Sequence, residues 1–106
     1  MKNWDNKTTD NLFKSILKLK NLGETKKFLR DLLTVEEIIE FGKRWQAAQM
    51  LNENISYERI VKKTGLSSRT VARISKWLNR GMGGYKLMLK RNNHHHNLSP
   101  SGKGLL

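Results

Sequence analysis

The chain has 106 residues with 21 lysines and arginines, 9 aspartates and glutamates, and a formal net charge of +12. This length predicts one small domain. A partner chain could enlarge its hydrophobic core, so we expect oligomerisation. The absence of cysteine excludes disulfides and thiolate metal sites, and no apolar run approaches the roughly 18 residues that span a bilayer, so we expect a cytoplasmic protein.

Two helices are predicted in the first third of the chain. Residues 1–8, which are polar and unlike a signal peptide, are expected to form a flexible leader. A helix is predicted from Thr9 or Asp10 to the segment 21–23, and a second, capped by Thr25, is predicted to end at Leu33. The predicted inward residues of these helices are Leu12, Phe13, Ile16, Leu17, Leu19, Phe28, Leu29, Leu32 and Leu33.

A long helix is predicted to begin after Thr34. Thr34 and Glu37 have the spacing of a capping box, and acidic side chains at a helix N-terminus favour the helix dipole. The helix should extend to about Glu53, with apolar residues on more than one face. In so small a protein this pattern indicates contact with a second copy as well as with its own chain.

Residues 56–79 have the spacing of a helix-turn-helix. Gly65 lies where the chain needs a left-handed residue between two helices, and Ser67 is positioned to cap the second helix. The shared core of the two helices is predicted to contain Ile60, Leu66, Val71 and Ile74. Val71, Ile74 and Leu78 form the predicted inward stripe of the second helix. Trp45 and Trp77, at helical spacing among aliphatic neighbours, are also expected to pack in a core.

The outward face of the second helix is cationic and matches a DNA major groove. Residues 56–106 contain 11 basic residues and one acidic residue, Glu58, whereas a face that serves only solubility usually mixes both signs. The candidate base and groove contacts are Ser67, Ser68, Arg69, Ala72, Arg73 and Lys76. The candidate phosphate contacts are Arg59, Lys62, Lys63 and Arg80, and a phosphate bond from Tyr57 is a weaker alternative.

The end of the chain is predicted to contain a flexible glycine-rich stop at 80–84, a basic helix at 85–91 and a disordered polar tail at 92–106. The histidine run at 94–96 lacks acids or cysteines that would complete a metal site, so we expect no metal. No set of catalytic residues is evident, so no enzymatic activity is predicted. Residues 9–91 are therefore predicted to form one helical DNA-binding domain.

The ending N-x-G-x-G-G-Y-x-L, formed by Asn79, Gly81, Gly83, Gly84, Tyr85 and Leu87, together with the long helix and the helix-turn-helix, resembles the tryptophan-repressor superfamily. The resemblance covers roughly residues 10–91 and is greatest to the YerC/YecD-type branch. It implies an all-α, intertwined homodimer that presents two recognition helices to a palindromic site.

The resemblance also implies a ligand pocket. In the tryptophan repressor the indole lies between two arginines, and the matching positions are Arg44 and Arg73; Thr34 and Thr70 also match. Two bulky departures, Ile74 and Trp77, stand where the repressor has small residues. On a helical wheel Trp77 lies next to Arg73 and Thr70, so its indole is expected to fill the space that a free tryptophan would need. We therefore expect a vestigial pocket, no cofactor and no response to L-tryptophan.

The sequence thus predicts a sequence-specific regulator that binds double-stranded DNA as a homodimer and represses transcription. Two alternatives are a module that binds RNA or nucleoid DNA without sequence selection, and a domain whose basic surface binds an acidic protein. A specific regulator should prefer its operator to random DNA by at least about 10³.

Overall fold

A computed structural model of the protein describes residues 3–98, with side chains described as far as residue 93, and shows only helices as regular structure in that range. In chain order they are α1 (Lys7–Ile16), α2 (Leu22–Leu32), α3 (Val35–Asn52), α4 (Tyr57–Thr64), α5 (Ser68–Arg80) and α6 (Gly84–Leu98). The predicted all-α fold is therefore confirmed. No helix between residues 3 and 98 is long and apolar enough to cross a bilayer.

Four helix boundaries differ from those predicted by more than one residue. The first helix ends at Ile16 rather than at the predicted segment 21–23. Asn6 caps α1 by accepting from the Thr9 backbone N–H at 3.0 Å, so this helix begins inside the predicted leader. Asn21, rather than Thr25, caps α2, because its side chain accepts from the Glu24 N–H at 2.9 Å. Helix α6 passes the predicted end at residue 91 and the start of the predicted tail at 92. Residues 1–2 of the leader and 99–106 of the tail lie outside the described range.

Contacts divide the chain into two compact units, Met1–Ile39 and Glu40–Leu106. In the first unit, α1 and α2 are amphipathic but contain no buried residue. The prediction that their apolar residues face inward is wrong within this chain for Phe13, Ile16, Leu17 and Leu32, which are exposed. The most exposed large apolar side chains of the unit are Leu17, the residue after α1, and Leu22, at 83% and 69%. Apolar surface of this extent is unfavourable in water, so the face requires cover from outside these helices.

The predicted capping box at the start of α3 is confirmed. The Glu37 backbone N–H donates to the Thr34 hydroxyl at 3.1 Å, and the Thr34 N–H donates to the Glu37 carboxylate at 2.9 Å. These two bonds satisfy amides that have no partner within the helix. They fix the point at which the longest helix within residues 3–93 begins.

The second unit has its core where α3, α4 and α5 meet. The side chains of Ile60, Val71 and Ile74 are fully buried, and Leu66 is 5% exposed. Ala47 and Ala48, both 0% exposed, form the α3 side of this cluster. The predicted helix-turn-helix core is therefore confirmed.

The turn between α4 and α5 is held by backbone geometry and by one buried hydroxyl. Gly65 ends α4 with φ +79°, which is the predicted left-handed conformation. The Thr64 hydroxyl donates to the Ile60 carbonyl at 2.7 Å and accepts from the Leu66 N–H at 3.1 Å. This hydroxyl, which is part of a 5% exposed residue, is thus fully paired and fastens the turn to α4.

Replacing Gly65 with alanine should destabilise the protein through backbone strain alone. A Cβ at this position meets nothing closer than the Lys43 Nζ at 3.8 Å, so the substitution adds strain without a clash. We expect Gly65→Ala to lower the free energy of unfolding by about 1–2 kcal/mol in urea titrations.

The matched control is Gly42→Ala in α3, where a Cβ meets nothing within 4 Å. This variant should raise the free energy of unfolding by about 0.5–1 kcal/mol, because glycine is unfavourable within a helix. Equal stability of the two variants would contradict the assignment of Gly65 as the residue that sets the turn.

Candidate nucleic-acid interface

Helix α5 has one buried side and a cap that fixes its start. The Ser67 hydroxyl accepts from the Thr70 backbone N–H at 3.1 Å, which confirms the predicted N-cap. Val71, Ile74 and Leu78 form the buried stripe of this helix. Because three residues spaced along the helix are buried, its rotation about its own axis is fixed, and so is the face it presents to solvent.

The opposite side of α5 is exposed along its whole length. Every residue predicted to contact bases or the groove is exposed: Ser67, Ser68, Arg69, Ala72, Arg73 and Lys76. No acidic residue occurs on this helix. A rod of small and cationic side chains has the dimensions and charge that a DNA major groove accepts. The exposure of these residues is as expected, while their contacts with DNA stay a prediction.

The predicted phosphate contacts lie on two helices. Arg59, Lys62 and Lys63 are exposed on α4, and Arg80 is exposed in the last turn of α5. Glu58, beside Arg59, is the one acid within α4. The two helices of the motif therefore both present cations to solvent, as a protein that docks on a polyanion requires.

Helix α6 is fastened to both α3 and α5. The Tyr85 ring stacks on the Trp45 ring, with centroids 6.2 Å apart and planes inclined by 17°. Leu89 is 6% exposed, and α6 packs against α5. Gly81 permits the connection, because a Cβ there would collide with the Trp77 carbonyl. The segment predicted as a flexible stop is thus a short connection between two packed helices, α5 and α6.

Trp77 does not pack in the core, and that prediction was wrong. Its side chain is 43% exposed and borders an open cleft of about 560 Å³ formed with Met82, Tyr85 and Met88. The helical period that places Val71, Ile74 and Leu78 inward turns Trp77 away from them, toward the start of α6. Trp45, in contrast, is half-buried and packs against the core as expected.

Three of the four residues of the predicted vestigial pocket have local partners. The Thr34 hydroxyl caps α3, and the Thr70 and Ser67 hydroxyls are hydrogen-bonded at 3.0 Å. The Arg44 guanidinium lies 3.4 Å from the Glu40 carboxylate and 5.7 Å from the centre of the Phe41 ring. Arg73 is exposed.

Tyr85 adds a third group beside Arg44. Burial raises the pKa of the Tyr85 phenol above its ordinary value of 10.0, and the positive charge of Arg44 acts in the opposite direction. Arg44 is therefore already provided with a carboxylate, an aromatic face and a nearby phenol, all from residues 40–85 of its own chain.

Sequence reasoning missed the clefts beside α5. One of about 420 Å³ is lined by Tyr57, Ala72, Ser75, Lys76, Asn79 and Arg80. Ser75 and Asn79 gave no strong signal in the sequence, because a polar residue between a buried stripe and an outward face is usually a solvated position. Only the fold brings Tyr57, from the first turn of α4, to the same cleft.

The described part of the chain contains no group of three or more histidine, cysteine, aspartate or glutamate side chains that could hold a metal ion. The side chains of the histidine run lie outside the described residues.

A helical protein in which a short helix, a glycine turn and a capped cationic helix share one core belongs to the helix-turn-helix class. The sequence profile of the family described as Trp repressor protein matches residues 7–93. The chain is 41% identical over 85 residues to the uncharacterized protein YerC of Bacillus subtilis (strain 168), covering 80% of this chain and 82% of YerC.

The fold is also similar to a crystal structure of a TrpR-like protein from Eubacterium eligens ATCC 27750. The TM-score is 0.81 at 36% sequence identity, and the alignment covers 85% of this chain and 93% of that one. The chain belongs to the Trp repressor family, which confirms the resemblance inferred from its ending and its helix-turn-helix.

Proposed function

We propose that the protein is a cytoplasmic, homodimeric repressor that binds specific double-stranded DNA and has no enzymatic activity. Membership of the Trp repressor family supports DNA-binding regulation of transcription. The observation that carries the proposal is the division of α5 into a buried apolar stripe and an exposed cationic face without an acid. Repression would follow from occlusion of promoter DNA.

In this proposal, base contacts and phosphate contacts come from different side chains of the helix-turn-helix. Arg69 lies in the first turn, where side chains of a recognition helix approach base edges, and an arginine can bond guanine at two atoms. Ser67 and Ser68, at the N-terminus of the same helix, are placed to bond a phosphate through hydroxyl and backbone N–H. Cations on α4 lie outside this row and would contact phosphates, which strengthens binding to every sequence equally.

The apolar surface of the first unit supports the homodimer. Leu22 and Ile39 are 69% and 52% exposed, and Leu29 and Ile38 line an open groove of about 310 Å³ within the same unit. A second copy of the chain carries the same apolar surface and is present at the same concentration. We therefore take a second copy as the partner that buries this surface. Two copies would also place two α5 helices on one duplex, as a palindromic site requires.

Substitutions on α5 and α4 should have different effects on sequence preference. Arg69→Gln should reduce the preference for a selected operator over random duplex about tenfold or more, because a bidentate base contact contributes about 1–3 kcal/mol. Lys62→Gln should weaken both complexes by the same factor. Fluorescence anisotropy with the operator and with a random duplex of equal length measures both quantities.

The wild-type chain should prefer the operator by at least about 10³ at physiological salt. Equal affinity for operator and random DNA would show instead a nucleic-acid-binding module without sequence selection. Failure of the wild type to bind any duplex at low salt would favour an acidic protein as the partner of this surface.

A charge placed on the apolar face of α2 should separate the dimer. Sedimentation of the wild type should give twice the chain mass of 12.3 kDa, and Leu22→Glu should shift the protein toward one chain mass. Glutamate at the first turn of a helix is favourable for the helix itself, so loss of the dimer would report the interface. The control Lys27→Glu, on the opposite side of α2, should leave the mass unchanged.

We further propose that the protein does not respond to L-tryptophan. Ile74, at one of the two positions that are small in the repressor, is fully buried in the core. Arg44 pairs with Glu40 and lies over the Phe41 ring. These contacts would have to be broken before an indole could lie on the guanidinium.

Titration calorimetry with millimolar L-tryptophan should therefore give no saturable heat, and operator affinity should be the same with and without the amino acid. Saturable binding together with tighter operator binding would contradict this proposal.

A further inference from the structure

Two clefts adjoin along one side of α5. The first, of about 420 Å³, includes Tyr57, Lys76 and Arg80 in its lining. The second, of about 340 Å³, includes Asn52, Asn54 and Lys86 of α6. Ser75 and Asn79 line both, so the clefts form a continuous strip that joins the start of α4, the side of α5 and the first turns of α6.

The polar side chains of the strip are hydroxyl, amide and cationic groups. Its cations are Lys76, Arg80 and Lys86, and the side chains lining the two clefts include no acid. The Asn79 amide donates one hydrogen to the Ser75 carbonyl at 2.9 Å, which orients the side chain and leaves its second amide hydrogen for another acceptor. Glu53 and Glu58 adjoin lining residues in sequence but do not line either cleft. Such a surface suits a chain of spaced negative charges.

The position of the strip favours a DNA backbone over a free anion. At about 100° per residue, Ser75 and Asn79 lie between the buried stripe of α5 and its outward row of Arg69, Arg73 and Lys76. A helix about 10–12 Å wide fills a major groove about 12 Å wide, so sugar-phosphate backbones run along its flanks. The strip occupies one of these flanks and continues it past α5 to α6.

We propose that this strip binds the phosphodiester backbone beside the major groove, and that Lys86 extends the duplex contact from the helix-turn-helix to α6. Tyr57 and Asn79 donate hydrogen bonds to phosphate oxygens, while Lys76, Arg80 and Lys86 supply charge. This inference rests on the proposed binding of double-stranded DNA. It adds to the site a helix that no helix-turn-helix pattern includes.

The test compares two single-charge losses on α6 in the full chain. Lys86→Gln removes the cation in the strip. Arg91→Gln removes an exposed cation that lies about 140° around the same helix from Lys86, and thus away from the strip. Affinities for the operator and for a random duplex of equal length are measured by anisotropy at several salt concentrations.

Lys86→Gln should weaken binding to both duplexes by the same factor, about threefold to tenfold near 0.1 M salt, and lower the magnitude of the log–log salt slope by about 0.9 for one lost phosphate contact. Arg91→Gln should leave the slope unchanged. Tyr57→Phe, which keeps the ring and removes one hydroxyl, should weaken both complexes without changing the slope.

Equal slopes for Lys86→Gln and Arg91→Gln, in a wild type that binds duplex, would overturn this inference and leave the proposed function standing. Absence of duplex binding by the wild type at low salt would overturn both. Circular dichroism melting of each variant verifies that a lost contact, rather than a lost fold, is measured.

Discussion

The contact of α4 and α5 with the two buried alanines of α3 determines how the rest of the second unit is arranged. The side chains of Ala47 and Ala48 are small, and Ile60, Val71 and Ile74 pack in the same cluster. All five residues are 0% exposed. Because the side chains of Ile60, Val71 and Ile74 are branched at Cβ and stiff, their burial leaves α5 little freedom to rotate. The direction in which the cationic face points therefore follows from an apolar contact on the other side of the helix.

Two further devices hold this arrangement in place. The Thr64 hydroxyl and the left-handed Gly65 fix the turn, so that α4 and α5 cross at one angle. The Tyr85 and Trp45 rings fasten α6 to α3. A positioned α6 matters for function in our account, since it brings Lys86 to the flank of the recognition helix. A rigid framework lowers the cost of ordering these cations when a polyanion binds.

Much of the motif could be predicted because its signals are local. The capping box of Thr34, the glycine of the turn and the cap by Ser67 depend on residues three or four positions apart, and all are present. Trp77 was misplaced because a bulky apolar side chain suggests burial, whereas the helical period sets its direction. The flanking clefts were missed because they join residues of different helices, which no spacing within one helix reveals.

The first unit obeys a different constraint. Its helices are amphipathic and capped, yet α1 and α2 bury no side chain within the chain, so local signals suffice to form them but not to stabilise them. A second copy that covers this surface would connect the two proposals of a dimer and a palindromic site. The apolar surface of the first unit would then form the dimer, and the cationic face of the second unit would bind DNA in that dimer.

The central claim is that the exposed face of α5, held by the core beneath it, is the surface that meets DNA. Titration of the ¹⁵N-labelled full chain with its operator duplex, followed by amide chemical shifts, tests this most directly. The account predicts the largest shift changes between residues 57 and 80, with smaller changes near Lys86. Largest changes within α1 and α2, with α5 unaffected, would contradict it.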